Sequence, residues 1–345
     1  MFGRLMNGYF YGKSGKGDFR RDDLPKNRWE LFWAMLRVRF SALIRLNLMT
    51  VIVFLPFLVV VLYNLLTLLT GVSGALSYQM ALEAGELTEE YTPELLAIYA
   101  QYTADGVFNL GQYSRELTQF CLSQMLLWII PCILITGPAE AGLAYVCRNW
   151  ARDEHAFIWA DFKDALVENW KQGLGVSAIT SVLPFVIYIC WNFYGAQADQ
   201  NALFLVPQIL VMMLGIIWML GLTFMYPLMV SYKMTFGQVV KNGIMLGVGR
   251  LPQTVGVRLV VLVPALICAA LLVFTSIGMY ALLVLGGYYL VLGIALARFI
   301  YASFTNGVFD RYINSRIEGV QVNRGLADED EDEDEDDDED VGEEE

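Results

Sequence analysis

The sequence predicts an all-α polytopic membrane protein with six transmembrane helices, and three observations carry that expectation. Hydrophobic residues make up 56% of the 345-residue chain and charged residues only 17%, more apolar material than a soluble core can use. Apolar runs at 46–70, 119–147, 173–194 and 203–230 each reach the roughly 20 residues that span a bilayer core. A further run, 257–304, would be about 72 Å long as a single helix, so it has to fold back as a hairpin.

The first segment, 1–45, holds ten basic residues and reads as a cytoplasmic piece ending in an amphipathic interfacial helix. In it Trp29, Phe32, Trp33, Leu36, Phe40 and Leu43 share one face, with Arg28, Arg37, Arg39 and Arg45 interspersed, the pattern of a helix lying on a membrane. The transmembrane domain is expected over 46–304, with one sizeable outer loop at 71–118. In that loop Thr92 and Pro93 form a helix start, Thr as N-cap and Pro at the first position. Its acids, against the single Arg115, read as a solvated face.

A second amphipathic stretch carries Ile158, Phe162, Ala165, Leu166 and Trp170 at helical spacing. A third, FGQVVKNGIMLGVG, opens with Thr235 and Gln238 at capping-box spacing. Each of the three precedes a span with an internal proline, Pro56, Pro184 or Pro264. That pattern suggests three tandem units of surface helix plus hairpin.

Charge sets the expected orientation. Of 23 basic residues, 22 fall in 1–45, 148–172, 231–258 and 298–345, all on one side of the bundle. By the positive-inside rule that side is the cytoplasm, with both termini in it. The net charge of −13 comes from the end of the chain, where residues 328–345 hold 16 of the 36 acids. The segment 305–345 is thus expected to be cytoplasmic, with a disordered acidic tail from 327 to 345.

Signatures of catalysis fail on placement. GYFYGKS at 8–14 is one residue short of a phosphate-binding loop. GVSG at 71–74 resembles the serine motif of rhomboid proteases, but Ser73 and the only histidine, His155, fall on opposite sides of the bilayer. GKGD at 15–18 lacks the second membrane aspartate that an aspartyl protease needs. His155 itself reads as part of a surface helix start. The five cysteines show no metal or disulfide spacing. No cofactor or metal is expected, and bases spread along a membrane boundary suit lipid headgroups rather than nucleic acid.

One intramembrane pair remains. Glu140 lies about eight residues before the boundary at Arg148, and Arg298 about six before the end of the last run at Phe304. Ionisable groups at matching depth in a bilayer seek each other. The two are expected to pair between the second and sixth spans as a structural ion pair. Asn47, Asn64, Gln124, Asn192 and Gln208 read as interhelical glue.

Three stretches, PKNRWELF, LNLMTVIVFLPF and TGPAEAGLAYVCRNWARDEHAFIWADFKDALVENWKQ, resemble the YesL-like bacterial membrane proteins, domain of unknown function 624. The resemblance covers residues 1–325 and is most specific from Gly137 to Lys171, where Gly137, Pro138, Tyr145, Trp159, Asp161 and Phe162 mark the boundary between membrane and cytoplasm. The position of Glu140 is more often small or apolar in that family, and the acidic tail is an addition. The resemblance implies a bacterial plasma-membrane protein, often encoded beside carbohydrate uptake systems, and carries no catalytic residues. The expectation is therefore a non-enzymatic accessory or assembly partner of a carbohydrate uptake system, in contact with the lipid bilayer and a sugar permease. The alternative is a small independent transporter or channel.

Overall fold

The computed structural model describes residues 25–85, 91–275 and 277–326. The GYFYGKS and GKGD stretches and the acidic tail lie outside the described residues. Among the described residues the architecture is all-α, and six helices are long and apolar enough to cross a membrane. Their outward faces keep residues such as Ile52, Leu214 and Leu266 more than half exposed. Hydrocarbon, not water, is the solvent that suits them.

Helix α1 runs unbroken from Arg28 to Ala84, 57 residues, about 86 Å at 1.5 Å per residue. Its start is fixed by Asn27, whose side chain accepts from Glu30 N, while the Glu30 carboxylate accepts from Lys26 N at 2.9 Å. It ends at Gly85, whose φ of 71° is the left-handed conformation glycine tolerates best. The amphipathic segment around Trp29–Leu43 is thus no separate surface helix. It is the first part of α1, because the arginines that suggested a boundary leave the backbone ladder intact.

The residues after α1 build a small head. Helix α2 (Pro93–Ala100) is capped by Thr92, whose Oγ1 accepts from Leu95 N at 3.3 Å. Strands β1 (Thr103–Ala104) and β2 (Val107–Phe108) form an antiparallel hairpin. Its turn residues Asp105 and Gly106 both have positive φ, as a two-residue hairpin requires. Helix α3 (Leu110–Trp150) follows. Tyr78, Tyr99, Phe108 and Tyr113 form the aromatic core of the head, with Tyr78 and Tyr99 centroids 4.6 Å apart. Burial pushes the Tyr99 hydroxyl up to about 12. Of the expected outer loop 71–118, then, the ends belong to α1 and α3.

The remaining elements are α4 (Ala160–Ala198), α5 (Leu205–Ser231), α6 (Phe236–Gly249), α7 (Leu251–Phe274), α8 (Gly278–Tyr288), a π-turn (Tyr289–Gly293) and α9 (Ile294–Tyr312). The last long apolar run is divided between α7, which ends at Phe274, and α8, which begins at Gly278 and packs back against it, as the length of the run demands. Pro56, Pro184 and Pro264 each lie inside a helix, α1, α4 and α7. The three amphipathic segments differ in build, however. The second runs directly into its span as the start of α4, and only α6 stands alone, with Gln238 Oε1 accepting from Thr235 N at 2.9 Å.

Helix α3 is the hub, packing against α1, α4, α5 and α9. Helix α9 reaches back to α1 and completes the bundle. Asn47 of α1 sits at that closure, fully buried, where its Nδ2 donates to Tyr289 O and Leu290 O at 3.0 and 2.8 Å. Its Oδ1 accepts from Ala295 N at 2.9 Å. One amide side chain thus meets three backbone groups at the π-turn and the start of α9. Replacing Asn47 by Leu is expected to cost about 2 kcal/mol or more. Hydrogen exchange over 289–295 should accelerate in the variant, and unchanged exchange there would show that the turn does not depend on Asn47.

Candidate intramembrane and basic-end sites

The expected pair is built from α3 and α9. Glu140 is 5% exposed, and its two carboxylate oxygens accept from Arg298 Nε and Nη2. This fork-to-fork arrangement is the strongest form of a carboxylate–guanidinium contact. Both carboxylate oxygens are thus engaged by one guanidinium. The Arg298 guanidinium also lies 5.7 Å from the centroid of the Tyr301 ring.

A second basic side chain sits nearby, from the expected boundary segment 231–258. Arg258 lies inside α7, and its Nε donates to Thr223 Oγ1 of α5 at 2.8 Å. Its position, one residue into an apolar run beside a basic segment, gave no signal that it turns inward.

The hairpin of α3 and α4 holds the residues of the 137–162 stretch. A Cβ at Gly137 would lie 2.3 Å from Gly173 O, so the two helices touch backbone to backbone. Ser177 Oγ donates across the same crossing to Leu134 O at 2.8 Å, in keeping with small residues and hydroxyls as the packing devices of membrane helices. Pro138 lies within α3 beside this contact. Phe162 is 5% exposed and covers Gly142. The Tyr145 ring carries the Arg148 guanidinium at 4.9 Å. Asp161 Oδ2 accepts from Phe157 N at 2.8 Å and so fixes the start of α4. Trp159 is 63% exposed. His155 is exposed and rests edge-on against Phe157.

The ends of α1, α3, α5 and α9 meet at one end of the bundle, which we call the basic end. Arg28 pairs with the buried Asp310 and donates to Asn323 Oδ1 at 2.8 Å. Asn314 Nδ2 donates to Asp310, and Tyr232 OH donates to Asn314 Oδ1 at 2.7 Å. Burial, and then the Asp310 charge, push the Tyr232 hydroxyl up to about 12. It remains a donor throughout the ordinary pH range. Arg148 Nη1 donates to Val230 O at 2.8 Å, and Arg324 pairs with Glu154 at 2.8 Å. Asp310 was not anticipated, because one acid beyond an apolar run reads as solvated.

Of the five amides expected to join helices, two do so. Asn47 joins α1 to the π-turn, and Gln208 Nε2 donates to Trp191 O at 3.2 Å. Asn64, Gln124 and Asn192 bond within their own helices. Among the described residues, no group of three His, Cys, Asp or Glu side chains gathers as a metal site.

The fold and this ion-paired interior define a polytopic helical membrane protein organised around a central hairpin. Residues 122–191, which span that hairpin, match the model of the family described as a protein of unknown function, DUF624, the family that the sequence resembles. No curated protein and no solved structure matches the chain.

Proposed function

We propose that the protein is a non-enzymatic accessory or assembly partner of a carbohydrate uptake system in a bacterial plasma membrane, with the basic end and both termini in the cytoplasm. The orientation follows from the side on which 22 of 23 bases fall. The carbohydrate system is what the family resemblance implies.

The observation that carries the contact role is the contrast between the two sides of the basic end. Leu31, Phe32, Met35, Ile158, Phe162 and Leu166 share one core. From the same two segments Trp29, Phe157 and Trp159 project with 68%, 65% and 63% exposure. Large aromatics held on a clamped base are the side chains that anchor protein interfaces. Within the bundle the Glu140 carboxylate is bound to Arg298, and each of the five amides makes at least one hydrogen bond to the protein.

The test is mass spectrometry of full-length protein recovered in native lipid from a host grown on a complex polysaccharide. A sugar permease should be enriched with the wild type and lost with the Phe157→Ser/Trp159→Ser variant, whose thermal midpoint stays unchanged. Wild-type protein recovered alone with a bound small molecule would overturn the accessory reading in favour of a carrier.

A further inference from the structure

Arg258 lies seven residues past the first residue of α7, Leu251, about 10 Å along the helix from the basic end. Its side chain is held in place. Nε is committed to Thr223 Oγ1, and the guanidinium lies 5.7 Å from the centroid of the Tyr301 ring. The Arg298 guanidinium lies at the same distance from that ring. One tyrosine thus carries two guanidinium groups.

Only one of the two is neutralised. Glu140 spends both oxygens on Arg298. Among the described residues Arg258 meets no carboxylate within ion-pair distance, and its two Nη groups have no hydrogen-bond partner. Arginine does not shed its proton to escape this situation. The three ionised groups Glu140, Arg298 and Arg258 therefore leave one positive charge inside a membrane-spanning bundle. An uncompensated charge at that depth is costly, and such groups pair or face a polar ligand.

We propose that Arg258, oriented by Thr223 and Tyr301, binds a phosphate group within the basic-end half of the membrane. The two free Nη groups form the fork that receives two oxygens of a phosphate side by side. The Arg298 guanidinium on the same ring is neutralised by Glu140, so the net charge at the site is that of Arg258. The depth suits a headgroup phosphate drawn slightly below its leaflet surface, and an anionic leaflet supplies that group at high local concentration. A soluble phosphate reaching the site from the basic end has the same chemistry. Thr223 and Tyr301 are positioning residues, whereas Arg258 makes the contact.

The experiment is native mass spectrometry of the full-length protein, stripped of lipid in detergent and titrated with phosphatidylglycerol or with diacylglycerol, which has the tails and no phosphate. The wild type should take up a first phosphatidylglycerol that the Arg258→Gln variant binds about tenfold more weakly, with diacylglycerol binding alike in both. Arg258→Lys, which keeps the charge and loses the fork, should fall between them.

A second arm follows the thermal midpoint with inorganic phosphate in the absence of lipid. A rise confined to proteins with Arg258, together with phosphatidylglycerol binding indifferent to it, supports the site and assigns it a soluble phosphate. Equal behaviour of wild type and Arg258→Gln toward both probes overturns the proposal. Should Arg258→Gln fail to fold, Thr223→Val keeps the guanidinium and releases its orientation, and unchanged binding in that variant overturns the proposal equally.

Discussion

The Glu140→Gln variant is expected to lose about 3–5 kcal/mol of stability, the cost of leaving one partner of a buried ion pair unmatched. The amide keeps the shape of the side chain and cannot balance Arg298, whose guanidinium is positioned by both carboxylate oxygens. Because the penalty comes from the orphaned charge, the double replacement Glu140→Leu/Arg298→Leu should recover most of it. Unfolding in mixed detergent micelles measures both. A loss below about 1 kcal/mol for Glu140→Gln would place the pair among those whose water-exposed side relieves them. A double variant no more stable than the single one would mean that the pair contributes through packing and not charge.

Gly137→Ala is expected to be as damaging, for a steric reason. The added carbon would lie 2.3 Å from Gly173 O and 2.7 Å from Gly173 C. These are backbone atoms with no rotamer to change, so α3 and α4 must separate along their whole crossing. Overpacking that side chains absorb costs about 1–3 kcal/mol, and this obstruction belongs at or above the upper end. Gly286→Ala supplies the contrast, since nothing lies within 4 Å of a Cβ there. In the interior of α8 it should gain about 0.5–1 kcal/mol from helix propensity. Thermal midpoints moving in opposite directions confirm the reading. If Gly137→Ala matches the wild type, the close approach is not part of the folded bundle.

Apolar run length made the six helices legible, because a bilayer imposes one minimum span on every crossing. The Glu140–Arg298 pair was legible for a related reason, since an acid and a base in apolar runs at similar depth have few other partners. Where α1 begins and ends was not. Hydropathy changes at Arg45, but the backbone ladder is indifferent to which solvent surrounds it and continues from Arg28 to Ala84. Arg258 and Asp310 were missed because each stands beside a hydropathy boundary, where sequence places a charge in solvent and only the fold shows it turned inward. Asn47 was singled out as glue, yet its partners are backbone groups at and beside a π-turn, a feature with no side-chain pattern to announce it.

The clamp at the basic end has a consequence for the order in which the molecule is made. Arg28 and Asp310 are separated by 282 positions, Asn47 and Ala295 by 248, and Glu140 and Arg298 by 158. At the usual ribosomal pace of 5–20 residues per second, Asp310 emerges roughly 15–60 s after Arg28. Through that interval the first helix waits in the bilayer with its buried amide unmatched, and Glu140 stays without its cation. The nascent chain is most vulnerable just before its last helix arrives, so insertase dependence and degradation should concentrate on truncations that end ahead of Arg298.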